Sequence, residues 1–352
     1  MCHSPLHAFL AALPKCEHHM HLEGALSPTL LFDLAARNGI ALPSSSDDQS
    51  FASPGALLDR YTRFSSLDDF LQYYFIGMSV LIKAQDFEAL AWEYFLKAKA
   101  DGVVHAEVFF DPQAHTGRGV EYAVIVEGFT RACERARREL DISTKLILCF
   151  LRHLPVKESD ETFAKAEMDL KNGVLAGIGL DSTELGNPPA NWRALYGKAK
   201  QLGIRRTAHA GEEGPVEYIK GAVRDLDVER IDHGIRLPDD NELMREVAER
   251  RILVTMCPLS NVRLKCANSV ADLPVRKYLE AGVRFSINSD DPAYFGGYIL
   301  DNYCAVQQAF HLTTREWEGI ARGAVEGSWC DAARKENILK QLDETVRKFI
   351  RT

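Results

Sequence analysis

Eight short strand-like runs, each ended by a polar or glycine-containing turn and separated by longer helical patterns, restrict the fold of this chain more than any other feature. They fall at 16–21, 103–110, 145–151, 176–180, 205–209, 230–233, 252–256 and 284–288. Helical periodicity occupies 87–100, 120–140, 190–202, 240–249 and 270–281 between them. Such alternation predicts a parallel sheet with helical crossovers, and a count of eight favours closure into a (β/α)8 TIM barrel over an open doubly wound sheet. At 352 residues the usual length prior suggests two domains, but barrels reach this size as one, so residues 1–352 are read as a single domain.

The first crossover is far longer than the rest. Residues 24–101 hold several helical segments and are expected to form an insertion over the barrel mouth, with an exposed serine- and aspartate-rich loop at 43–50. Within it Leu67, Phe70, Leu71 and Tyr74 recur at i, i+3, i+4, i+7, which makes one helix face apolar. That face is expected to pack on the barrel; the sharper alternative is a lid wall against an aromatic substrate. Beyond Asp291 the chain reads as extra helices, ending in a charged one over 332–351.

A formal charge of -8 without a basic stripe lacks the footprint of a duplex-binding protein, so a small, neutral or anion-poor substrate is expected and nucleic acid is not. The eight cysteines are scattered without a CxxC pair, as in reduced cytosolic thiols. Residues 1–13 carry an apolar patch but no basic n-region, and no run of about 18 apolar residues occurs, so neither a secretory leader nor a membrane span is expected. The expected location is cytoplasmic, with nuclear entry left open and oligomeric state unassigned.

His19 and His21 stand two apart in the first strand, so both imidazoles point to one face. An HxH pair alone is a weak metal signal. Its position strengthens it, because three other polar clusters end strands at the same rim: HAGE at 209–212, DHG at 232–234 and NSDDP at 288–292. Three histidines and one carboxylate, with a position left open for water, suit a single catalytic Zn2+. Each cluster alone also reads as a cap or turn, but four at four strand ends point to one shared site. A binuclear hydrolase of this architecture would be expected to offer a bridging lysine or glutamate after the fourth strand, where this chain has GLDST at 179–183. The Cys257-Pro258 element is not the PCxxC of the nucleic-acid and cytidine type of zinc deaminase, which excludes that fold.

PKCEHHMHLEG at 14–24, taken with HAGE, DHG, CPLSN at 257–261 and SDDP at 289–292, resembles the adenosine and adenine deaminase family, in order and at the matching strand ends. The resemblance spans about residues 13–295. It implies a barrel holding one zinc through His19, His21, His209 and Asp290, and attack of an activated water on C6 of a purine. It further implies that Glu212 donates a proton to N1, that His233 with Asp290 orients the water and takes up its proton, and that Asp291 bonds N7. Nucleoside deaminases of the family typically carry HLDG where this chain has HLEG at 21–24, so Glu23 is expected to fill sugar space. They have a glycine near N3 where Ser182 stands here, and a hydroxyl there is expected to bond N3 or occupy the sugar region. EVFFDPQ at 107–113, YFGGY at 294–298 and MCHSPLHAFL at 1–10 resemble the adenine deaminase branch in its fungal form. The implied reaction is conversion of adenine to hypoxanthine and ammonia in purine salvage. Deamination of adenosine or of N6-substituted adenines is the alternative within the class, and a purine-binding protein without turnover the alternative outside it.

Overall fold

The computed structural model describes residues 4–350. Eight strands run parallel and pair in chain order: β1 (Lys15–Glu17), β2 (Val103–Phe110), β3 (Ser143–Leu151), β4 (Gly177–Asp181), β5 (Arg205–Ala210), β6 (Arg230–His233), β7 (Leu253–Met256) and β8 (Phe285–Ile287). The seam between β8 and β1 is closed just beyond the strands, by His21 N–H to the Asp290 carbonyl at 3.0 Å and Asp290 N–H to the His19 carbonyl at 3.1 Å. This is the expected (β/α)8 barrel. Residues 18–21, expected as strand, instead carry that seam, because their backbone groups divide between two neighbours. His18 N–H donates to Asn288 Oδ1 at 2.8 Å, while the Met20 carbonyl accepts from Phe109 N–H at 2.8 Å.

The long first crossover is helical as expected, with helices at Pro28–Asn38, Pro54–Tyr61, Leu67–Met78 and Ala84–Ala100. Three of them start at a serine N-cap whose hydroxyl accepts a backbone N–H from the first turn: Ser27 from Leu30, Ser53 from Ala56 and Ser66 from Asp69. Pro28 and Pro54 stand where the missing N–H costs nothing. Leu67, Phe70, Leu71 and Tyr74 are all buried, and Phe70 packs against Tyr294 and Phe295 of the segment after β8. After that segment the chain continues in helices Ile299–Phe310, Thr314–Gly327 and Ala332–Ile350; the expected last residue of the final helix, Arg351, lies outside the described residues. Among the described residues no helix is long and apolar enough to cross a membrane. Cys16, Cys133, Cys149, Cys257, Cys266 and Cys330 are free thiols.

An ion pair spans the barrel interior. The fully buried Arg230 guanidinium on β6 donates to the Glu107 carboxylate on β2, which also pairs with His105 Nε2 at 2.8 Å. Trp329 closes this end, its backbone N–H on Glu107 and its ring 4.2 Å from the guanidinium carbon of Arg230. Burial would push the Glu107 carboxyl up, but the Arg230 charge and the His105 hydrogen bond outweigh it and hold the group well below its ordinary 4.5. Since the folded-state value is depressed, the stability from Glu107 is complete above about pH 4.5 and is lost as pH falls below it. Arg230→Met, which strands the carboxylate, is expected to lower unfolding free energy by roughly 3–5 kcal/mol in denaturant titration. Glu107→Gln is expected to flatten the acid limb of stability against pH, and an unchanged acid slope would refute this account.

Candidate metal centre and active site

The ends of β1, β5 and β8 bring His19, His21, His209 and Asp290 together, none more than 6% exposed and with ligand atoms within 4.8 Å of one another. His19 Nε2 lies 3.0 Å from Asp290 Oδ1, and His21 Nε2 lies 3.2 Å from His209 Nε2 and 3.5 Å from Asp290 Oδ1. Three observations fit a cation here. His19 Nε2 is buried without a hydrogen-bond partner. His21 Nε2 and His209 Nε2 face each other at 3.2 Å, a separation that one shared proton satisfies and that a cation bound by both lone pairs satisfies equally. Burial and the neighbouring imidazoles lower the proton affinity of His209, and burial that of His21, leaving the neutral rings a metal requires.

The surrounding shell fixes the tautomers. His19 Nδ1 lies 2.9 Å from Thr255 Oγ1, whose hydroxyl donates to Asp232 Oδ1 at 2.8 Å. Nδ1 therefore keeps the proton, and Nε2 presents its lone pair. The second Asp232 oxygen accepts from Thr207 Oγ1 at 2.6 Å and lies 3.7 Å from His209 Nδ1. Asp181, at the end of β4, stands 3.6 Å from His21 Nδ1, beyond hydrogen-bond length. Cys257 also borders the cluster, where burial pushes its thiol up and Sγ donates to the Thr255 carbonyl at 3.7 Å.

Glu212 is 3% exposed, with Oε2 3.4 Å from His233 Nε2, and that nitrogen is 3.9 Å from Asp290 Oδ2. Burial first, then the charges of Asp290 and Glu184, raise the Glu212 carboxyl well above its ordinary range. It is a proton carrier near neutral pH. Glu184 accepts from the backbone N–H groups of Glu212 at 3.0 Å, Glu213 at 2.9 Å and Gly214 at 2.5 Å, clamping the turn after β5. The buried Arg152 stands 3.7 Å from Glu184 and donates to the His209 carbonyl at 2.7 Å. Asp291 is 5% exposed and raised by burial and Asp290. Gly24 admits it: a Cβ there would lie 2.1 Å from Asp291 Oδ1 and 2.7 Å from its Cα.

Glu212, His233, Asp290 and Asp291 line one pocket with His21 and His209, partly open to solvent. Leu67, Phe70, Leu71 and Tyr74 form one wall, so the apolar helix face meets the cavity as well as packing, as the sharper alternative required. Ser182 lines the wall with φ of 71°, the left-handed region that favours glycine, at the very position where the nucleoside enzymes were expected to carry one. Its hydroxyl is occupied by His153 Nδ1 at 2.6 Å. Glu23 corrects the expectation. Its carboxylate is not on the cavity wall: the extra methylene carries Oε1 to the Asp111 N–H at 3.1 Å and His115 Nε2 at 3.0 Å. Sequence reasoning missed Asp111, Asp181, Glu184, Arg152, Asp232 and Thr255. Asp232 was visible within DHG, and Asp111 within EVFFDPQ, but each was read as a family marker without a contact.

Asp232→Asn is expected to weaken metal retention roughly 10–100-fold, measured by competition with a chelator, while far-ultraviolet circular dichroism stays unchanged. Equal metal retention would show that Asp232 does not orient His19 and His209.

Residues 14–345 match the family described as adenosine deaminase. A protein of Schizosaccharomyces pombe named adenine deaminase is 56% identical over 351 residues, covering 99% of this chain and 95% of that one. The crystal structure of adenine deaminase from Arthrobacter aurescens superposes with a TM-score of 0.90 at 40% identity, covering 95% of this chain and 99% of that one. An amidohydrolase from Burkhoderia ambifaria, solved with bound Zn, gives a TM-score of 0.86 at 27% identity, covering 98% of this chain and 95% of that one. With the whole barrel matched, and the gathered histidines and acids lying inside the matched span, the chain belongs to the adenosine deaminase family.

Proposed function

We propose that this protein hydrolyses adenine to hypoxanthine and ammonia, as one catalytic unit of residues 1–352 with 24–101 as its lid, one Zn2+ per chain, and a place in purine salvage in the cytoplasm. The observation that carries the reading is Glu212: a buried carboxyl, its pKa raised by that burial, on the wall of the pocket beside a three-histidine, one-carboxylate cage. The adenine deaminases of Schizosaccharomyces pombe and Arthrobacter aurescens support the choice of substrate, and the bound Zn of the Burkhoderia ambifaria amidohydrolase supports the choice of metal.

Held by His19, His21, His209 and Asp290, zinc supplies the Lewis acidity that makes a water nucleophilic near neutral pH. The protein does the rest. Glu212 gives its proton to N1, which removes aromatic stabilisation and leaves C6 electrophilic. His233 and Asp290 orient the water toward C6, take one of its protons and pass it to the departing amino group. The proton on the new C6 oxygen returns to Glu212 as the carbon–nitrogen bond breaks, so one water is consumed and one ammonia released. Asp291, kept protonated by burial and by Asp290, donates to N7 and fixes the ring plane.

Assayed side by side, adenine is expected to turn over faster than adenosine and than N6-methyladenine, with hypoxanthine identified by chromatography; faster adenosine turnover would overturn the reading. Glu212→Gln is expected to keep its zinc by elemental analysis and to lose roughly 10²–10⁴-fold in kcat. His209→Ala is expected to lose the metal as well. A Glu212→Gln enzyme near the wild-type rate would remove Glu212 from its role.

A further inference from the structure

The proposed chemistry makes no use of four polar side chains on the cavity wall, those of Tyr74, Asp111, Asp181 and Ser182. Ser182 is bonded to His153, Asp181 Oδ2 faces the ring of His21, and the Tyr74 hydroxyl donates to Asp111 Oδ2 at 3.4 Å. Oδ1 of Asp111, a residue only 1% exposed, and Oδ1 of Asp181 beside it receive no hydrogen bond from any amide, hydroxyl or ring N–H, and the two carboxyls hydrogen-bond to each other. The Asp111 backbone is pinned by Glu23, which in turn is held by His115, so this carboxyl is fixed from behind. A carboxyl pair sharing one proton still has buried acceptor capacity to spare, and on the cavity wall a ligand donor can meet it.

Adenine has two polar edges. The proposed function engages N1, C6 and N7 through Glu212, the nucleophile and Asp291, leaving the edge of N3 and N9 for the remaining wall. On the free base that edge carries one N–H, at N9. On a nucleoside it carries a sugar and no donor. We propose that Asp111 accepts the N9 hydrogen of adenine and thereby makes the site specific for an unsubstituted purine base. Asp181, whose carboxyl lies close enough to perturb that of Asp111, completes the edge beside it. Discrimination between base and nucleoside thus falls to Asp111 and not to Glu23, which acts as a positioning residue. The inference rests on adenine being the substrate.

The test compares adenine with 9-methyladenine, which lacks only that donor, and measures zinc content of every protein used. Wild type is expected to favour adenine by roughly 10³-fold or more in kcat/KM, since a site built around a hydrogen bond rejects the analogue that cannot make it. Asp111→Ala is expected to lower the adenine value roughly 10²-fold, leave 9-methyladenine within about threefold and retain its zinc. Asp111→Asn, which keeps the shape and a weaker acceptor, is expected to fall between them. Calorimetric binding of hypoxanthine and 9-methylhypoxanthine should show the same ordering without turnover. Wild-type enzyme that handles adenine and 9-methyladenine equally, or an Asp111→Ala enzyme that loses both in proportion, overturns the inference and leaves the adenine reading standing. Absence of adenine turnover in the wild type overturns both.

Discussion

The residues that close the barrel are the residues that build the metal site. His19, His21 and Asp290 exchange backbone hydrogen bonds across the seam between β8 and β1, and their side chains supply three of the four gathered ligand atoms. Closure of the sheet and assembly of the cage are therefore one event. A loosened seam would separate the ligands, and a bound cation would in turn tie the seam from its side-chain face. The outer partners follow the same logic, since Thr207, Asp232 and Thr255 stand on the adjacent strands β5, β6 and β7 and link through Asp232 into one hydrogen-bonded arc. The His19 ring cannot turn without breaking that arc, which is how a rigid sheet transmits its order to the ligand atoms.

Such an arrangement has a conformational cost. Ser182, His233 and Asp290 hold positive φ of 71°, 62° and 64°, each at the end of a strand facing the cavity. Strain of this kind amounts to roughly 1–3 kcal/mol per residue and persists only where the surroundings over-determine it. Here the surroundings are well defined. Asn261 lies 3.2 Å from the His233 ring, Asp290 sits in the seam, and the chain beyond Ser182 is held by Glu184 through its three backbone contacts. Buried polar atoms without a partner concentrate at the same place, among them His19 Nε2, Glu212 Oε1, Asp111 Oδ1 and Asp291 Oδ1. The interior ion pair of Glu107 and Arg230, in which Arg230 Nε alone lacks a partner, is closely engaged at its own end of the barrel.

Much of this was legible in the sequence because the barrel obeys local rules. Hydrophobic runs mark the strands, turn residues mark their ends, and the rule that a barrel exposes its chemistry at those ends is enough to bring His19, His209, His233 and Asp290 together. Leu67, Phe70, Leu71 and Tyr74 were legible as a face, though not as a face turned to the cavity, because periodicity says which side is apolar and not what covers it. What escaped was set by contacts between distant segments. Glu184 reaches the amides of the β5 turn, and Thr255 reaches a histidine 236 positions away. Glu23 shows the limit most sharply. Its difference from aspartate is plain in the sequence, but a single methylene can carry a carboxylate toward a ligand or toward a backbone amide, and only the fold around Asp111 and His115 decides.

The charge of the chain also becomes more specific when it is localised. A total of -8 argues only weakly about a partner, since most of those carboxylates lie on the surface. Inside the cavity the imbalance is severe: Asp111, Asp181, Glu212, Asp290 and Asp291 all line it, and no lysine or arginine among the described residues does. Crowded carboxyls in a desolvated space resist ionising together, and burial and mutual repulsion raise the pKa of Asp111, Asp181, Glu212 and Asp291 alike. A phosphorylated ligand, bringing further negative charge with no cationic side chain to meet it, would be repelled from such a wall. The acidity that would be a liability for binding a nucleotide is what suits the site to a neutral base, beside a cage of His19, His21, His209 and Asp290 whose donor atoms could hold one cation.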